Sequence, residues 1–238
     1  MSNSIFVITV CRNAEPLIED TIKSVLSQTY PNVKYLIIDG ASTDGTVDVI
    51  KKHADRLTYW VSEPDKGIYD AMNKGLAKAR KLGDGWVNFM NAGDLFADDE
   101  VLQRIFGSGN IADNIKVIGG NTVNVFPDGR EETHFAELSS VIPQRLPFSH
   151  QACIARLTPD WHFNTNYKYS ADYDFLYKTY WKFGPESIMT INIPIAKYRQ
   201  EDSLSMVNAK KVKGEYLKIQ SSHRDLRWWK EYLKWTMC

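Results

Sequence analysis

Short, continuous apolar runs alternate with segments of helical period through the first hundred residues, and this alternation restricts the fold more than any other feature. Residues 5–10 (IFVITV) are β-branched and uninterrupted, the pattern of a strand buried on both faces. Asn13 and Glu15-Pro16 then supply a helix start, with Ile18, Ile22 and Val25 as its apolar stripe. QTYPN at 28–32 ends that helix, and VKYLIID at 33–39 is the next strand. The turn GASTDG follows, with Thr43 or Asp44 suited to cap a helix running through His53. Residues 57–62 predict a third strand, and Met72, Leu76 and Ala79 mark a helix closed near Gly83. Residues 86–90 predict a fourth strand. Such alternation with short connections implies right-handed βαβ units. The expected fold is α/β, a mainly parallel sheet with helices on both faces.

Ligands of open parallel sheets sit at the carboxyl ends of the strands. That rule directs attention to Thr9, Asp39, residues 64–67 and residues 91–94. The second half is less regular. Residues 117–126 read as a strand or a bent pair before the turn Pro127-Asp128-Gly129, residues 148–156 as a short apolar segment, and 172–182 as a helix.

With 238 residues, 43% apolar and 24% charged, the chain has the composition of a globular domain. Lys+Arg 29 against Asp+Glu 29 argues against a dedicated nucleic-acid binder, which needs a basic excess. Cys11, Cys153 and Cys238 are an odd, widely spaced set, so neither a disulfide framework nor a zinc site is expected, and a reducing cytoplasm is the expected location. No apolar stretch approaches the roughly 18–20 residues of a membrane span.

Asp39 ends an apolar strand before Gly40, where a carboxylate can accept from a base N–H or a ribose hydroxyl, or alternatively tie an Asx-type turn. Asn91-Ala92-Gly93-Asp94 offers one carboxylate beside an approachable backbone. This suits a hard divalent cation, or alternatively a cap for the helix containing Val101 and Leu102.

Four blocks, VITVCRN, SVLSQTYPNVKYLIIDGASTDGT, EPDKGIYDAMNKG and FMNAGD, occur in order across residues 5–96. Together they resemble the successive blocks of family 2 glycosyltransferases, inverting enzymes of the GT-A fold. Within that family the likeness is to the bacterial branch that builds capsule, colanic-acid-type exopolysaccharide or O-antigen units. The resemblance implies a nucleotide-sugar-binding half over 1–100, an acceptor half over 101–208, and a separate extension over 209–238. It assigns Thr9, Asp39, Asp65, Lys66 and Asn91 to the nucleotide-sugar, most simply UDP-linked, and Asp94 to Mn²⁺ or Mg²⁺. This chain has Asn91 and Gly93 where fuller versions of the metal motif carry acids. Ser170-Ala171-Asp172-Tyr173-Asp174 resembles the ED-like motif that carries the catalytic base. Asp172 is the match and Asp174 the alternative, with Ala171 in place of the usual Glu and a helix N-cap as the structural alternative. His150 and Gln151 fall where acceptor or diphosphate contacts are expected. Arg199 precedes Glu201-Asp202, which replace the glycines of a closing loop.

Beyond Ala209 there are eight Lys/Arg against three Asp/Glu, and Trp228, Trp229 and Trp235 are concentrated there. Val212, Tyr216, Ile219, Leu226, Trp229 and Leu233 recur at helical intervals. A basic amphipathic helix of this kind fits the inner face of a membrane, where lipid-linked acceptors reside, but equally fits packing on its own domain or in a homodimer. A nucleotide-sugar-binding protein without turnover is the competing function. A sugar nucleotidyltransferase lacks support because residues 5–16 contain no glycine, and a dinucleotide oxidoreductase because no GxGxxG follows the first strand.

Overall fold

The first apolar run forms strand β1 (Ile5–Cys11), every residue of which is buried. Its side chains alternate between two cores: Ile5, Val7 and Cys11 face one, Phe6, Ile8 and Val10 the other. A continuous apolar run is what a strand needs when both faces are covered. The structure is a computed structural model that describes residues 3–199 and 208–222. Further elements follow as α1 (Glu15–Leu26), β2 (Val33–Asp39), α2 (Thr46–Lys52), β3 (Tyr59–Ser62), α3 (Ile68–Leu82) and β4 (Trp86–Phe89). The second half adds β5 (Leu95–Phe96), α4 (Val101–Phe106), β6 (Val117–Val125), β7 (Glu131–His134), β8 (Cys153–Arg156), α5 (Ala171–Phe183), β9 (Ile188–Arg199) and α6 (Ala209–Ser222).

One nine-stranded sheet runs in the order β3-β2-β1-β4-β8-β6-β9-β5, with β7 paired to β6. β3, β2, β1 and β4 are parallel, as the βαβ reading requires. Beyond β4 the expectation of a mainly parallel sheet is corrected: β8 runs antiparallel to both β4 and β6, and β5 antiparallel to β9. Among the described residues only β6 and β9 are parallel in that half, so the sheet is mixed. The α1 stripe of Ile18, Ile22 and Val25 packs on one face with α4. Ala71, Met72, Leu76 and Ala79 of α3 pack on the other with α5.

The N-cap of α2 is Gly45, not Thr43 or Asp44; the Asp44 carboxylate, one residue earlier, accepts the Thr46 N–H at 3.0 Å. Along the predicted C-terminal stripe, Ile219 is buried in the α3/α5 core and Tyr216 packs against it, so the described part of this helix lies on its own domain. Leu226, Leu233 and the three tail tryptophans lie outside the described residues.

Candidate active site

The loops after β1 and β2 are sewn together at the carboxyl edge of the sheet. Asn13, in the left-handed region at φ 50°, donates its N–H to Ser42 Oγ at 2.7 Å and accepts the Thr43 N–H at 2.8 Å. Glu15 accepts the Gly45 N–H while Asp44 accepts the Glu15 N–H, both at 3.1 Å. The loop after β4 is tied to α1, where Thr21 Oγ1 donates to the Asp94 carbonyl and accepts the Gly93 N–H, both at 2.9 Å.

Within this edge the expected nucleotide residues fall into two groups. Thr9 is fully buried, its hydroxyl donating to the Met90 carbonyl at 2.7 Å and lying 2.9 Å from the Tyr35 hydroxyl. Its side chain therefore braces β1 against β2 and β4. Asp39 is likewise enclosed. It accepts the Ser42 N–H at 2.9 Å, the Ser62 hydroxyl at 2.6 Å and the Ser42 hydroxyl. The Ser42 bonds brace the turn after β2, and the Ser62 bond ties it to β3. Asp65 is half-buried and reaches over Gly40, where a Cβ would lie 2.3 Å from Asp65 Oδ2. Lys66 is exposed beside it.

Asp94 does not cap α4, whose N-terminal residue is preceded by Glu100. It is buried, with Gln151 Nε2 donating to Oδ1 at 3.2 Å and its own N–H bonded to the Asn91 carbonyl at 2.9 Å. Burial pushes its carboxyl up to about 7, partly offset by Gln151 and by the Asn91 backbone N–H acting on the carboxylate. A carboxylate in that condition favours a cation beside it. Among the described residues no group of three His, Cys, Asp or Glu side chains assembles around it. The donor set thus fits a hard divalent cation that takes one protein carboxylate and completes its shell with diphosphate oxygens and water.

His150 and Gln151, expected near the diphosphate or acceptor, join this loop to the acceptor side. Gln151 holds Asp94, while the adjacent His150 lies 2.9 Å from Asn91 Nδ2 through Nε2. His150 also faces Asp172. Burial lowers the imidazole below its usual value, and the Asp172 charge partly restores it. Asp172 sits in the first turn of α5, one residue inside the helix, so it is not the N-cap. Its Oδ1 accepts the Tyr69 hydroxyl at 3.2 Å and the Tyr173 N–H at 2.9 Å. Burial raises its carboxyl above the aspartate range, opposed by the charge of His150 and by these two hydrogen bonds.

Asp172 and His150 line one cavity of about 50 Å³, whose remaining wall is largely apolar and includes Phe89, Phe148, Trp161 and Phe163. The apolar wall beside the carboxylate is the source of its desolvation. Asp174, the alternative base, is buried and forms an ion pair with Lys178 at 2.6 Å. Arg199 ends β9, paired with Val125, and its side chain and the loop at 201–202 lie outside the described residues. Tyr69 is the residue that sequence reasoning missed. It lies in the GIYDAMNKG block, but only the pairing of α3 with α5 puts its hydroxyl on Asp172.

The chain is similar to known proteins in sequence and fold. A glycosyltransferase of Bacillus subtilis strain 168, TuaG, named for teichuronic acid biosynthesis, is 33% identical over 102 residues, covering 42% of this chain and 39% of TuaG. The chain thus spans about two fifths of the length of such curated relatives. Among solved structures, S. aureus TarS 1–349 in complex with UDP-GlcNAc superposes with a TM-score of 0.65 at 18% identity, over 86% of this chain and 61% of that one. The mannosyltransferase PcManGT from Pyrobaculum calidifontis, in complex with GDP-Man and Mn²⁺, gives 0.65 at 17% identity, over 94% and 65%. Both likenesses establish the GT-A type of fold. The model of the family described as glycosyl transferase family 2 matches residues 6–167, and the chain belongs to that family.

Proposed function

We propose that the chain is an inverting glycosyltransferase that moves a hexosyl or N-acetylhexosaminyl group from a nucleotide-sugar, most simply UDP-linked, to a hydroxyl of a surface glycan or a lipid-linked oligosaccharide. The observation that carries this reading is Asp172: a shielded carboxylate lining the cavity, held by Tyr69 and facing His150. A carboxyl raised above its ordinary range is a better proton acceptor than an exposed one at the same pH. Asp172 takes the proton of the acceptor hydroxyl as that oxygen bonds to the anomeric carbon. The bond from that carbon to the diphosphate oxygen breaks with its electron pair, so the sugar is transferred with inversion. Asp94 would hold Mn²⁺ or Mg²⁺, which when bound supplies positive charge for the departing diphosphate. Gln151 orients Asp94, and His150 with Asn91 keeps the Asp94 loop and the Asp172 side in fixed relation. The Mn²⁺ named with the mannosyltransferase neighbour supports a metal of this kind.

A membrane-side location is part of this proposal. Lys210, Lys211, Lys213 and Lys218 on α6, with Leu217 exposed, suit the anionic inner face of a membrane. Among the described residues no helix is long and apolar enough to cross one. The single-carboxylate metal position favours one competing reading, a nucleotide-sugar-binding protein without turnover. Release of nucleoside diphosphate from a panel of UDP-, GDP- and dTDP-sugars with Mn²⁺ separates the two. The enzyme reading expects turnover that falls by roughly 10²–10⁴ in Asp172→Asn. Donor binding with no turnover across an acceptor panel would leave the binding protein.

A further inference from the structure

We infer that Glu215 and Tyr216 of α6 are positioning residues for Asp172, fixing from outside the α5 turn that carries it. This inference rests on the proposed role of Asp172 for its catalytic meaning, but its geometry stands alone. A helix start needs acceptors for its free N–H groups and favours negative charge nearby. α5 lacks the local solution: Ser170, at its N-cap, makes no capping hydrogen bond, and its hydroxyl is buried without a partner. Just upstream, the Glu215 carboxylate accepts the N–H groups of Lys168 and Tyr169 at 2.8 and 2.9 Å, across 47 and 46 residues of sequence. The segment entering α5 is thereby held by a different element.

Two further contacts bear on the same turn. Tyr216 stacks on Tyr173, the residue after Asp172, with ring centroids 3.9 Å apart and planes 16° from parallel. Gln220 Nε2 donates to the Tyr173 hydroxyl at 2.9 Å, and that hydroxyl donates to the Ile142 carbonyl at 2.9 Å. Glu215, Tyr216 and Gln220 thus fix the backbone on both sides of Asp172, while Tyr69 of α3 holds its carboxylate from the opposite side. The groups facing that carboxylate are Tyr69 on α3, His150 before β8, Cys153 on β8 and Tyr216 on α6. Loosening α6 changes the shielding of Asp172 without removing any of the other three.

The test is the titration of Asp172 in the full chain, followed by NMR with ¹³C-labelled aspartate carboxyls and assigned by the signal lost in Asp172→Asn. The wild-type midpoint is expected above the ordinary aspartate range. Glu215→Ala and Tyr216→Leu should lower it by about half a unit or more as water reaches the carboxylate. Glu215→Gln, which keeps one acceptor, should fall between, and Tyr216→Phe, which keeps the stacked ring, should match wild type. Should Glu215→Ala not fold, the Glu215→Gln and Tyr216→Leu pair carries the test. A midpoint unmoved in folded variants overturns the inference and leaves the proposed base untouched. Full turnover in Asp172→Asn overturns the base and leaves the positioning in place. With both intact, the Glu215→Ala and Tyr216→Leu variants should lose kcat about tenfold or more at unchanged donor KM, the signature of a displaced reacting group.

Discussion

Asp172 is held above the ordinary aspartate range, so the native chain binds its proton more tightly than the unfolded chain does. Between the ordinary value and the raised one, the native state carries the extra proton, and stability falls as pH rises through that window. The penalty is absent below the ordinary aspartate value and complete above the raised one. Asp172→Asn keeps an acceptor for Tyr69 and Tyr173 yet carries no charge to desolvate. Urea denaturation should therefore find the variant more stable than wild type at pH 8, with the gap closing toward pH 4. An equal difference at both pH values would show that the buried charge is not the cause. Such a residue can be placed by sequence only as far as its motif. Its shield comes from Tyr69, 103 residues away. Asp39 teaches the same lesson in reverse. Its strand end was legible, but the serines that occupy its oxygens were not, since Ser62 becomes a neighbour only when β3 pairs with β2.

At the scale of elements, the strands that read cleanly are those whose pairing is local. β1, β2 and β4 are mostly apolar runs, and helices α1 and α3 between them keep one apolar stripe each. β9 escaped notice because Pro194 interrupts a run in which Ile191, Ile193 and Ile195 otherwise alternate with polar residues, and proline argues against a central strand. The structure accommodates it with a register shift opposite Gly119 and Asn121 of β6. β5, at two residues, is too short for any period to register. Close approach explains the glycines of β6. A Cβ on Gly119 would lie 2.0 Å from the Phe148 ring, which is itself buried against the α5 core. Gly119→Ala must displace that ring, and a cost of about 1–3 kcal/mol is expected from overpacking. Chemical denaturation should show a lower midpoint with an unchanged slope. Gly129→Ala offers the contrast: nothing lies near its Cβ, and its cost should come only from a backbone at φ 82°.

Over the whole molecule the two halves differ in how they are assembled, and this bears on what a donor would stabilise. The first half closes through neighbouring βαβ units, which is why its fold was legible. The second depends on β8 entering between β4 and β6, a pairing that no local period encodes. The donor-side loops are already joined through Asn13, Ser42, Glu15 and Gly45, so a nucleotide-sugar would meet a largely formed edge and pay little to order it. A ligand at a hundred times its Kd adds about 2.7 kcal/mol to native stability. For a chain of this size each kcal/mol raises Tm by about 2–4 °C. A matching donor with Mn²⁺ should therefore raise Tm by roughly 5–10 °C in a thermal-shift screen of UDP-, GDP- and dTDP-sugars. Asp94 is the only charged side chain assigned to the cation, so Asp94→Asn should erase the part of the shift that requires Mn²⁺ while leaving the metal-free part. If the metal increment survives in Asp94→Asn, the cation sits elsewhere. If no donor shifts Tm with or without Mn²⁺, the nucleotide-sugar reading itself fails, because a site formed by these loops cannot be saturated without stabilising the sheet edge that forms it.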